Sequence, residues 1–175
     1  MTFLDLARRR YSVRSYRPDP VPDDLLATVL EAGRLAPTAA NRQPIRILVV
    51  RTAGREAELR RIYDRDWFVA APLILCVCAV PGEAWRRTMY DGRSHADVDA
   101  TIVMDHLVLA AADLGLGTCW IAAFDPAAAR EVLGIPPEGE PMLFTPVGFP
   151  AADSLPSARH AERRPLEEIV RHERW

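Results

Sequence analysis

Residues 97–114 set the tightest constraint on how this chain can fold. Ile102, Val103, Leu107, Val108, Leu109, Ala110, Ala111 and Leu114 cover more than one side of an α-helix, and Gly115 ends the run. A helix apolar around most of its circumference must be buried on most of its sides. At 175 residues the chain can build one good core but not two ordinary domains. Packing against a second copy of the chain is one way to cover what a single subunit leaves open. A charge at the helix centre, at Leu107, is then expected to break the dimer.

The rest of the pattern supplies the partners of that helix. A first helix starts at Thr2, with Asp5 in capping-box spacing, and runs into Arg8-Arg9-Arg10. A second runs from Asp23 to a stop at Pro37, and a third covers 55–63. Asp125-Pro126 opens a fourth that Gly134 closes. Strands are expected at 45–50, 73–80, 118–122 and 143–148. Pro146 lacks a backbone donor, so the last strand is expected to be irregular or at an edge there. After Pro150 the chain is polar and punctuated by proline, with a helical turn at 166–170. It has too little apolar surface to fold back alone, so residues 151–175 are expected to lie on a neighbouring subunit. Strands and helices do not alternate in βαβ order, and Gly115 and Gly117 end a helix instead of following a strand. A dinucleotide-binding fingerprint is therefore absent. One α+β layered domain over 1–175 is the expected fold class.

Composition narrows the function. The 22 basic residues against 24 acidic ones give a net charge of -2, which argues against broad nucleic-acid affinity. No apolar run approaches the roughly 20 residues a membrane span needs. The N-terminus lacks a signal-peptide order, so a cytoplasmic protein is expected. Lysine is absent, which removes Schiff-base chemistry and the P-loop lysine. Cys76, Cys78 and Cys119 read as buried reduced thiols. His95, His106, His160 and His172 show no metal-ligand spacing, and no metal is expected.

Three segments could carry chemistry. In Arg10-Tyr11-Ser12-Val13-Arg14 the chain leaves a helix for an extended path, so Arg10, Ser12 and Arg14 can point to one side. Two guanidinium groups and a hydroxyl there suit a phosphate, and equally a solvated arginine cluster at a helix end. Ala36-Pro37-Thr38-Ala39-Ala40-Asn41-Arg42-Gln43-Pro44 holds the chain's only asparagine and only glutamine. Its small residues would let backbone approach a flat ligand, and ordinary turn chemistry also accounts for it. Leu114-Gly115-Leu116-Gly117-Thr118-Cys119-Trp120-Ile121-Ala122 joins the long helix to a strand, and its glycines also fit a plain helix stop.

In their order and spacing these segments resemble the FMN-dependent nitroreductases, specifically the short single-domain members. The likeness continues through Ala71-Pro72, Leu133-Gly134-Ile135-Pro136, Pro146-Val147-Gly148-Phe149-Pro150 and Arg163-Arg164-Pro165-Leu166. It implies a nitroreductase-like layered fold, a central mixed or antiparallel sheet flanked by helices, and an intertwined homodimer with FMN between the subunits. It also implies that Arg10 and Arg163 hold the phosphate, with Tyr11, Ser12 and Arg14 beside the ribityl chain and pyrimidine edge. Pro37, Thr38, Ala39 and Asn41 would reach the same flavin from the other subunit, and Trp120, Ile121 and Ala122 would line the ring. Ile45 stands where the family often has Trp, and Ala161 where some members carry a second phosphate cation.

The activity implied is reduction of nitroaromatic, quinone or similar organic acceptors at the expense of NADH or NADPH, in two half-reactions at one pocket. No catalytic side chain is required; Arg14 could stabilise negative charge on the reduced cofactor. Other readings on the same fold are dehalogenation, flavin cleavage or a non-enzymatic flavin-binding dimer. The first two usually bring added lid segments, and the flavin-cleaving branch tends to have Asp where Ser12 stands.

Overall fold

The computed structural model describes residues 2–175. Its helices are α1 (Phe3–Arg9), α2 (Asp23–Leu35), α3 (Glu56–Ile62), α4 (Asp66–Ala70), α5 (Ala96–Asp113), α6 (Pro126–Leu133) and α7 (Leu166–Ile169). The strands are β1 (Ile45–Arg51), β2 (Leu73–Ala79), β3 (Gly117–Thr118) and β4 (Glu140–Gly148). They form one antiparallel sheet in the order β1-β2-β4-β3. A single parallel bridge, Ser12 to Thr118, attaches the segment after α1 to the β3 edge.

β2 organises the layers because every one of its residues is buried. Side chains alternate along a strand. Leu73, Leu75 and Val77 therefore pack with α2 and α5 on one face. Ile74, Cys76 and Cys78 pack with α3, α4 and α6 on the other. Helices thus cover both faces of the sheet, which gives an α+β layered domain. Cys76, Cys78 and Cys119 are free thiols, and all three are buried.

Local signals in the sequence account for the helix ends. Thr2 and Asp5 form the capping box that opens α1. At α6, Asp125 accepts from the amides of Ala127 (2.9 Å) and Ala128 (3.0 Å), and Gly134 closes the helix with φ 63°. The five-residue α4 was not expected, because one short turn carries too little periodicity to read.

Two expectations need correction. Leu107 is 0% exposed within its own subunit, packed beneath Gly33 of α2, so a charge there breaks the subunit core before any dimer. What one subunit leaves open on α5 is a different stripe, with Val98, Thr101 and Asp105 exposed and Ile102, His106 and Leu109 half-buried. The strand expected at 118–122 is also shorter, ending at Thr118 and touching β4 again only at Ile121–Phe144. Pro146 explains the gap. Phe144 N–H donates to Ile121 O (2.9 Å), so position 146 also turns its nitrogen toward β3, and proline has no hydrogen to give. Cys119 N–H bonds instead to Thr145 Oγ1 (3.1 Å). Pro146 thus sits in an inner strand, where the pairing of β3 with β4 breaks off.

Candidate functional site

Beyond α1 the chain is extended. Val13 N–H donates to Thr118 O (2.9 Å) and Arg17 N–H to Phe149 O (2.9 Å), which lays residues 12–17 along the edge of the sheet. Alternation then sends Val13 into the core at 2% exposure and its neighbours outward. The Tyr16 hydroxyl, donating to Val13 O (2.8 Å), ties the strip to itself. Burial, then the nearby Cys119 thiol, hold the Tyr16 phenol well above its usual range.

The segment after β4 returns to this strip within the same subunit. Ala151 N–H donates to Ser15 O (3.0 Å), Ser15 Oγ to Asp153 (3.0 Å), and Tyr11 Oη to Ser154 O (2.7 Å). His160 Nε2 reaches the Arg8 carbonyl oxygen (2.9 Å), and its ring meets Tyr11 edge-on at 6.4 Å. Arg10, Tyr11, Ser12 and Arg14 therefore face Ser157, Arg159, His160 and Arg163 across a cavity of about 260 Å³. Four guanidinium groups, three hydroxyls and an imidazole meet there with no carboxylate on the wall. Such a donor-rich site suits a phosphate. Arg14 also lies over the Trp67 ring, 5.7 Å from its centroid. Behind the strip, burial pushes the Cys119 thiol up, so it stays protonated.

Sequence reasoning found Arg10, Tyr11, Ser12, Arg14 and Arg163, and the fold brings them to one cavity. It missed Ser157, Arg159 and His160, which lie about the 3₁₀ turn Ala158–His160. No local pattern marks them, because the chain between His160 and Arg163 is not helical and they reach the cavity only through the fold. Residues 151–160 dock on their own subunit, whereas 161–175 are exposed throughout.

Pro37, Thr38, Ala39 and Asn41 lie elsewhere, in the turn between α2 and β1. Thr38 lines a separate groove of about 380 Å³ between α2, β1 and α5. Ala40, Asn41 and Gln43 adopt φ of 50°, 53° and 51°, a conformation that side chains disfavour. Such strain collects at functional turns. Ile121 is buried against Phe144 and exchanges both backbone hydrogen bonds with it, while Trp120 is half-buried and Ala122 exposed.

The layered α+β fold thus carries an arginine-lined cavity beside the strip at the edge of its sheet. The chain belongs to the nitroreductase family, whose pattern matches residues 7–67 and 55–149. An NADH dehydrogenase of Thermus thermophilus is 31% identical, over 94% of this chain and 92% of that protein. The crystal structure of a nitroreductase family protein from Clostridium difficile superposes with a TM-score of 0.88, at 35% identity and 100% coverage of both chains. An FMN-dependent nitroreductase from another strain of that species, at 20% identity, a TM-score of 0.78 and coverage of 99% and 100%, shares the fold. Among the described residues no helix is long and apolar enough to cross a membrane.

Proposed function

We propose that the protein is an FMN-dependent oxidoreductase that takes reducing equivalents from NADH or NADPH and passes them to nitroaromatic, quinone or similar organic acceptors. The observation that carries this reading is the cavity shared by Arg10, Ser12, Arg14, Arg159 and Arg163 in a chain of this family. Its residues fit FMN: planar donors that cannot lose their charge converge as a phosphate monoester requires. A sheet without βαβ crossovers offers no dinucleotide cradle.

Arg10, Arg159 and Arg163 would hold the phosphate, with Ser12 and Ser157 as neutral donors. When bound, FMN supplies the two-electron transfer between nicotinamide and acceptor. Arg14 lines the same cavity and lies over Trp67, where its fixed positive charge would favour the anionic reduced cofactor. Trp120 and Ala122 would border the ring and exclude water from one side. In this reading Pro37, Thr38, Ala39 and Asn41 come from the second subunit of a homodimer.

Exposed apolar side chains support the dimer. Leu166 is 72% exposed and Ile169 64%, while Phe3 and Leu4 on α1 and Val98 on α5 also face outward. A polar, proline-rich tail with such residues gains stability by covering a neighbour. An obligate interface of this kind buries more than about 2,000 Å².

The test is anaerobic mixing of the FMN-loaded protein with NADH or NADPH. The flavin colour should bleach, and a quinone or nitroaromatic should restore it. Colour that persists under both nicotinamides identifies a flavin-binding dimer without this activity.

A further inference from the structure

The turn at residues 38–43 holds three of the four non-glycine residues with positive φ among the described residues. Asparagine tolerates that region through its short polar side chain, but Ala40 and Gln43 have no such compensation. Something must hold the turn. From within, Gln43 N–H donates to Thr38 Oγ1 (3.0 Å) and Asn41 N–H to Thr38 O (2.9 Å). From outside it, Asp99 on α5 accepts the Ala39 N–H on Oδ1 at 2.8 Å.

Asp99 is a poor choice for stability alone. It is 1% exposed, and its Oδ2 has no hydrogen-bonding partner among the described residues. Its place near the start of α5 favours a negative charge, but a buried carboxylate with one oxygen unmatched remains costly. An apolar residue there would remove the unmatched oxygen but also strip the Ala39 N–H of its acceptor, two effects of opposite sign. Costs of this kind persist where a residue serves function instead of the fold.

We propose that Asp99 is a positioning residue for the flavin site, holding the 38–43 turn in its left-handed form so that Asn41 is presented to the cofactor. Gln43 Nε2 donates to Asn41 Oδ1 (3.2 Å), which leaves the Asn41 amide nitrogen as its outward donor. Asn41 itself is exposed on this face. Asp99 does not reach the ligand; it acts through the backbone of Ala39. The inference rests on the FMN reading above.

The experiment compares wild type, Asp99→Leu and Asp99→Asn in two measurements: urea unfolding of the FMN-free protein, and FMN titration followed by flavin fluorescence and absorbance. Asp99→Leu should stay close to wild type in stability, because the two effects offset, yet bind FMN about tenfold or more weakly, with an altered flavin spectrum. Asp99→Asn keeps an oxygen acceptor for Ala39 and should restore most of the affinity. The inference is overturned if Asp99→Leu binds FMN as wild type does, or if it loses stability in step with affinity, which marks a structural residue only. Failure of Asp99→Asn to recover affinity above Asp99→Leu also overturns it. If wild type takes up no FMN, the cofactor reading itself has failed and the inference falls with it.

Discussion

Gly117→Ala tests how the phosphate cavity is built. A Cβ at position 117 would stand 2.8, 2.8 and 2.9 Å from the Cγ1, Cγ2 and Cβ atoms of Val13, closer than carbon atoms approach without displacement. Val13 cannot yield easily. It is 2% exposed, β-branched, and its amide is bonded to Thr118 O at 2.9 Å, one residue from the new methyl group. Overpacking of this kind costs about 1–3 kcal/mol. For a chain of this size that lowers the melting temperature by about 2–4 °C per kcal/mol. Relief would come from moving the strip that carries Ser12 and Arg14, so FMN affinity should fall with stability. Adding Val13→Ala should recover part of both losses, leaving the double variant more stable than the two single effects sum to. The assays are thermal unfolding and FMN titration of the four proteins in the cycle. A Gly117→Ala protein as stable as wild type, or strictly additive effects, refutes the close-packing argument.

Arg10→Ala, Arg159→Ala and Arg163→Ala should each weaken FMN binding by about tenfold or more, from the loss of a charge-assisted contact of about 1.5–3 kcal/mol. Arg8→Ala removes only an exposed pairing with Asp5 (3.7 Å), and fluorescence titration should find its FMN affinity near wild type. Tyr16 has a folded pKa above the unfolded value of about 10, so the stability it contributes is complete below that pH and is lost as pH rises toward the folded value. Denaturant unfolding should accordingly weaken as pH rises above about 10 more in wild type than in Tyr16→Phe. A chain ending after Pro165 keeps Arg163 but loses Leu166, Ile169 and Trp175; light scattering should find its dimer weakened.

Legibility in the sequence followed the range of the interaction. Thr2 with Asp5 and Asp125 with Gly134 act within a turn, and both helix ends were readable. The continuous apolar run of β2 announced a strand buried on both faces. Pro146 signalled an irregularity, but its cost falls on β3, which lies nearly 30 residues earlier and becomes its neighbour only in the sheet. The cavity divided the same way. Alternation in 10–14 is local and pointed to Arg10, Ser12 and Arg14, whereas Arg159 and His160 reach that site only because Tyr11 and Ser15 anchor the returning chain. Arg163 came from family likeness, not from spacing. Asp99 looked like an ordinary acidic residue in the first turns of a helix; its burial and its bond to Ala39 are tertiary facts.

The most direct test of the central claim, that the arginine-lined cavity binds the phosphate of FMN, is a parallel titration of the apo-protein with FMN and with riboflavin. The two ligands share the ring and ribityl chain and differ only in the phosphate. Two or more charge-assisted contacts imply that riboflavin binds at least about a hundredfold more weakly. Raising salt should narrow the gap by screening the exposed arginines. Equal affinity for the two, or no uptake of either, would contradict the account.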